Sequence, residues 1–177
     1  MIIKTLGRLA TGKNILILLA LFLLANLVVV PLVYPRFQTL DMLNGYTPAQ
    51  ANQLIASYGQ QGRQSYAIVE STLDLAYPFV SGMLFSLLTL YSFQRGFPNQ
   101  KWAQMLALLP LAVMLADYLE NVCVLVLLLG YPHELAAVAR VANFFTTAKM
   151  VLSPFEILFV LGFIGWFFRL IWIKLKV

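Results

Sequence analysis

The sequence predicts an all-α integral membrane protein, a four-helix transmembrane bundle with a short amphipathic helix in its outer loop. Three observations predict it. Of 177 residues, 61% are apolar, 14% aromatic and only 11% charged, whereas an average soluble domain is about 45–50% apolar and about 25% charged. Four apolar runs approach the length of about 20 residues that crosses the hydrocarbon core. Each run also carries polar groups that lipid cannot satisfy, so their polar sides should face one another. So few charges could not cover a soluble fold, which excludes a soluble globular enzyme, a disordered tail and a nucleic-acid module.

The first span is predicted over residues 14–34. It follows Lys4, Arg8 and Lys13, as a signal peptide would, but its apolar stretch exceeds the 7–15 residues of a signal core and shows no convincing small-x-small cleavage site before Pro35. A retained helix is expected. The outer loop, residues 35–65, is the sizeable polar segment. Within it Thr47 can cap a helix, Pro48 suits the first helical position and Gln50 completes a capping box. Ala51, Leu54, Ile55 and Tyr58 then share one apolar face, and Gly59 is a natural stop. This helix reads either as a connector packed on the bundle or as a lid over a cavity.

The second, third and fourth spans are predicted over residues 66–93, 102–129 and 148–173. Pro78, Pro110 and Pro154 lie inside them and predict kinks. A helix from Glu134 to Ile173 would measure about 60 Å if straight, so it should bend or lay its outer part along the interface. The 177 residues form one domain without internal repeats. Lys4, Arg8, Lys13, Arg95, Lys101, Arg169, Lys174 and Lys176 gather at the two termini and the 94–101 turn, while Arg36, Arg63 and Arg140 fall in the other loops. The positive-inside rule therefore puts both termini in the cytoplasm, with the plasma membrane as the expected location. Tyr34, Tyr66, Trp102, Tyr131, Trp166 and Trp172 fall near span ends, as interfacial aromatics do.

The informative residues are those at membrane depth. Measured along ideal helices from the inner cations, Asp74 lies about 31 Å away, Lys149 about 30 Å, Glu120 about 28 Å and Asp117 about 24 Å. Helical spacing adds Asn121 to the third span, Glu70, Tyr77 and Ser81 to the second, and Thr146, Ser153 and Glu156 to the fourth. Asn26, about 20 Å from Lys13, supplies the first. Ionisable groups at depth face the bundle interior or a wet cavity. Asp74, Asp117, Glu120 and Glu156 outnumber Lys149, with Arg140 able to join from the outer end. That excess predicts a carboxyl that holds a proton or meets a cation or water.

The candidate binding residues are therefore Asp74, Asp117, Glu120, Asn121, Lys149, Thr146, Tyr77 and Glu156. Three readings follow. These groups lock the helices together as a structural or accessory subunit; they line an outward pocket for a lipid-like or cationic small molecule; or Asp117, Glu120 and Asp74 supply acid and base catalysis to a lipid-like substrate. The expected partners are membrane lipids, with a small-molecule ligand, another membrane protein or further copies of the chain as candidates. No cofactor is called for. With one cysteine, Cys123, and one histidine, His133, the chain can make neither an intrachain disulfide nor a thiol relay, and it lacks the ligands for a Cys/His metal centre. His133 is expected to start a helix and Cys123 to sit inert in an apolar run. His-Glu-x-x-His, Gly-x-Ser-x-Gly, Gly-x-Gly-Asp and P-loop motifs are absent. Asp117→Asn separates the readings: a lock loses thermal stability in a melting experiment, whereas a ligand site keeps its fold and loses retention or turnover.

Overall fold

The computed structural model describes residues 2–96 and 101–175; side chains at 103, 156, 159–160, 163–164, 167–171 and 173–175 lie outside that description. The described chain is helical, without a strand: α1 Ile2–Leu9, α2 Gly12–Leu24, α3 Val30–Val33, α4 Pro48–Ser57, α5 Gly59–Gly96, α6 Lys101–Met105, α7 Leu109–Gly130 and α8 Ala136–Leu175. Three stretches are long and apolar enough to cross a membrane, Gly12–Val33, Gly59–Gly96 and Leu106–Gly130.

Local chemistry accounts for the boundaries. Thr11 caps α2 by accepting from the Asn14 amide. A π turn over Ala25–Val29 then leads into α3, and the Val30 amide bonds the Ala25 carbonyl. Pro31 is the cause that fits: it has no N–H to donate and crowds the turn below it. Helix α4 carries the expected capping box, with Thr47 and Gln50 bonding each other's backbone. Gly59 breaks the chain between α4 and α5 at φ 63°, a conformation that costs glycine little. Helix α5 accordingly starts earlier than the expected 66.

Pro110 and Pro154 are both accommodated within helices. Pro110 lies inside the third span, Leu106–Gly130, in the first turn of α7 after a 3-10 turn at Leu106–Leu108, where a missing N–H is harmless. Helix α8 is one continuous helix of 40 residues, with Pro154 inside it.

Helices α5, α7 and α8 pack on one another, whereas α2 leans mainly on α5. Phe22 meets the Tyr77 ring at 5.9 Å and the Phe85 ring at 5.5 Å. The rest of the first span is open: Leu16 on α2, Leu27 in the π turn and Leu32 on α3 are 66%, 72% and 78% exposed. Apolar all round, α2 has no stripe to direct inward. One apolar cluster, including Leu6, Leu84, Leu87 and Leu90, closes the end near the N-terminus. Another, including Leu40, Ala51, Ile55, Tyr66, Val124 and Leu127, closes the opposite end. Ala51 and Ile55 therefore make α4 a connector packed on the bundle.

The α5–α7 seam shows how polar side chains enter. A Cβ on Gly82 would sit 2.8 Å from Met114 Cβ, so the helices meet closely, as small residues allow in membranes. Further along, Pro78 cannot donate to the Asp74 carbonyl one turn back. Asn121 Nδ2 donates to that carbonyl at 2.9 Å, and the Tyr118 hydroxyl donates to the neighbouring Leu75 carbonyl at 2.8 Å. Helix α7 thus replaces what the proline removes. Asn121→Ala should destabilise the protein by about 1–3 kcal/mol, the cost of a stranded buried acceptor. In a Pro78→Ala background, where the helix can satisfy its own carbonyl, the loss should be much smaller in thermal melts. Equal losses in both backgrounds would break the link.

Candidate functional site

The polar residues of the spans meet between the two apolar clusters. Lys149 on α8 forms ion pairs with Asp117 and Glu120 on α7. Glu120 is wholly buried, and its second oxygen accepts from Thr146 Oγ1 at 2.5 Å. Spacing explains the set. Asp117 and Glu120 lie one turn apart on one face of α7, and Thr146 and Lys149 do the same on α8. Each charge in the group therefore has an opposite charge in contact. In a low-dielectric surrounding this pairing decides whether such groups can be buried at all.

Beside this group lies a cavity of about 320 Å³. Asn26 from the π turn, Asp74 and Tyr77 from α5, Asp117 and Asn121 from α7 and Lys149 from α8 line it. Tyr34 at the end of α3 and Asp41 and the apolar Met42 from the outer loop close it, and Val30 adds to the apolar lining. The Tyr77 hydroxyl donates to Asn26 Oδ1 at 3.2 Å, and Asn26 Nδ2 donates to the Phe22 carbonyl at 2.8 Å. Asp41 accepts from the Tyr34 hydroxyl at 2.5 Å and from the Tyr66 hydroxyl at 2.8 Å. Burial, then the Asp41 carboxylate beside it, pushes the Tyr34 hydroxyl well above the ordinary phenol range, so it stays a neutral donor. Burial likewise raises Tyr46 to about 12 and lifts Tyr58 above its ordinary value.

The Asp74 carboxylate differs from its neighbours. It is half-buried and lines the cavity, yet accepts no hydrogen bond among the described residues. Asp41, Asp74 and Asp117 give the lining three acids against the single Lys149.

Of the residues expected from the sequence, Asp74, Tyr77, Asp117, Asn121 and Lys149 share the cavity, while Glu120 and Thr146 stand behind the lysine. The Glu156 side chain lies outside the described residues. Glu70 is buried, 3% exposed, away from the cavity lining. Ser81 and Ser153 bond carbonyls of their own helices. Arg140 is exposed and makes no ion pair among the described residues, so it does not join the layer as expected. Asp41, Tyr34 and Tyr66 were outside the expected set. The sequence held one signal for Asp41, the only acid in residues 35–65.

No protein-family model, characterised protein or solved structure matches the chain.

Lys149→Met should leave Glu120 buried without its partner and cost about 3–5 kcal/mol. The triple change Lys149→Met, Asp117→Asn, Glu120→Gln should recover much of that loss in thermal unfolding from detergent. A triple variant as unstable as Lys149→Met alone would show that the charges are not the reason.

Proposed function

We propose that the chain crosses the membrane four times, with α8 as the fourth span and both termini in the cytoplasm, and binds a cationic small molecule or the cationic head of a lipid-like molecule in the cavity beneath the outer loop. The observation that carries this reading is the Asp74 carboxylate, which borders the cavity and accepts no hydrogen bond among the described residues. A carboxylate with an open side and an acid-rich lining suits a positive charge. A volume of about 320 Å³ falls at the small end of the roughly 300–1,000 Å³ range of ligand pockets. Val30 and Met42 supply apolar contact for the carbon part of such a ligand.

The locking role belongs in this account to the paired group of Lys149, Asp117, Glu120 and Thr146, and the binding role to the cavity beside it. Orientation rests on the cation distribution. Lys4, Arg8, Lys13, Arg95 and Lys101 lie at the end away from the cavity, which the positive-inside rule assigns to the cytoplasm. The plasma membrane of a bacterial cell suits such a chain.

Benzyltrimethylammonium and its uncharged carbon isostere neopentylbenzene provide the test, titrated calorimetrically into protein held in zwitterionic nanodiscs. The cation should bind saturably and the isostere should not. Asp74→Asn should weaken the cation at least about tenfold, as loss of a desolvated charge partner does, with the melting temperature retained. Equal binding to both proteins, or equal binding of both compounds, would contradict the reading.

A further inference from the structure

We propose a second site at the opposite end of the bundle, where Lys4 and Arg8 on α1 meet Lys101 on α6 around a cleft that takes a phosphate-bearing anion. This site does not depend on the acidic cavity. The cleft measures about 660 Å³, twice the acidic cavity, and Gln94 and Gln104 complete its polar lining. Lys4 and Arg8 are one helical turn apart and so share a face of α1. Helix α1 is fixed in place by its apolar side: Leu6 is 5% exposed and joins the cluster of Leu84, Leu87 and Leu90. Gly7 brings it close against α5, since a Cβ there would lie 2.9 Å from Gln94 Nε2. The three cations are thereby held by two separate elements around one space.

Counter-charge is missing from the sequence around the cleft. No acidic residue precedes Asp41, and none lies between Asp74 and Asp117. Helices α1, α2 and α6, the last turns of α5 and the 97–100 connection therefore offer no carboxylate. A site of three cations with amide groups and no acid selects an anion. Phosphoryl oxygens suit it because they accept from both lysine and arginine, the latter in bidentate fashion. Ile3 and Met105 make part of the wall apolar, and the exposed Trp102 follows Lys101, which suits a headgroup that carries acyl chains. An anionic phospholipid and a soluble phosphate ester share this chemistry.

Brominated phospholipids distinguish them. The full chain, with Trp166→Phe and Trp172→Phe so that Trp102 alone reports, is placed in vesicles of phosphatidylcholine with a fixed fraction of brominated lipid. Brominated phosphatidylglycerol should quench Trp102 at a several-fold lower mole fraction than brominated phosphatidylcholine, because cations near the surface attract anionic lipid. Lys4→Gln, Arg8→Gln and Lys101→Gln should each reduce the preference, and the triple variant should abolish it. Lys13→Gln, at an exposed position outside the cleft, should leave it intact, as should Arg8→Lys with Lys101→Arg. Reversal of the quenching by millimolar inorganic phosphate assigns the site to soluble phosphates; persistence assigns it to the lipid. Absence of any preference, together with no effect of phosphate, overturns the proposal. So does a preference that Lys13→Gln lowers as much as Arg8→Gln.

Discussion

One lysine holds the polar interior of this protein together. Glu120 is fully buried on α7, in surroundings where an unpaired carboxylate would be too costly to keep, and Lys149 arrives from α8 to meet it. The same ammonium reaches Asp117 one turn away. Thr146 completes the arrangement by donating to the other Glu120 oxygen. The register of α7 against α8 follows, because sliding either helix by one turn would part the lysine from at least one acid. The cavity lies on the Asp117 side of this group, so its shape depends on the same contact.

A second constraint comes from prolines. Pro78 interrupts the α5 ladder and Pro31 that of the first span, and each leaves a backbone needing repair. Asn121 and Tyr118 on α7 supply donors to the carbonyls near Pro78. Near Pro31 the chain takes a π turn instead, and Asn26 within that turn contacts the Phe22 carbonyl and Tyr77. Both repairs use residues that also line the cavity. The site is therefore built partly from groups that membrane helices need for their own backbone, which explains the two amides, Asn26 and Asn121, in its lining.

Much of this was legible in the sequence because it depends on periodicity. Asp117, Glu120 and Asn121 must share a face of one helix, as must Thr146 and Lys149, and rise per residue puts Asp74 at a matching depth. The α4 capping box was equally local, since Thr47, Pro48 and Gln50 suffice to specify it. What periodicity could not reveal was contact made by loops and by backbone. Asp41 enters the cavity through an irregular segment whose path depends on Leu40 and Tyr46 being buried elsewhere. Asn121 reads as a polar neighbour of Asp74, yet it bonds the Asp74 carbonyl, and the reason lies at Pro78. Arg140 looked available to the acids by charge alone, but its position on α8 turns it to the exterior. Helix α8 continues through Pro154 for 40 residues, a continuity that the proline alone would not suggest.

Charge is distributed along the molecule with a clear polarity. Acids gather around Lys149 and beneath the outer loop, and cations gather where α1 meets α6. The apolar cluster of Leu6, Leu84, Leu87 and Leu90 lies between the two groups and keeps them apart. The arrangement at the acidic end turns on the position of one nitrogen. Solid-state NMR of bilayer-embedded protein, with 15N at lysine side chains and 13C at aspartate and glutamate carboxyls, measures it directly. The account predicts that Lys149 Nζ dephases the carboxyl carbons of both Asp117 and Glu120, at separations within about 4 Å. Contact with only one of them, or with neither, would contradict it.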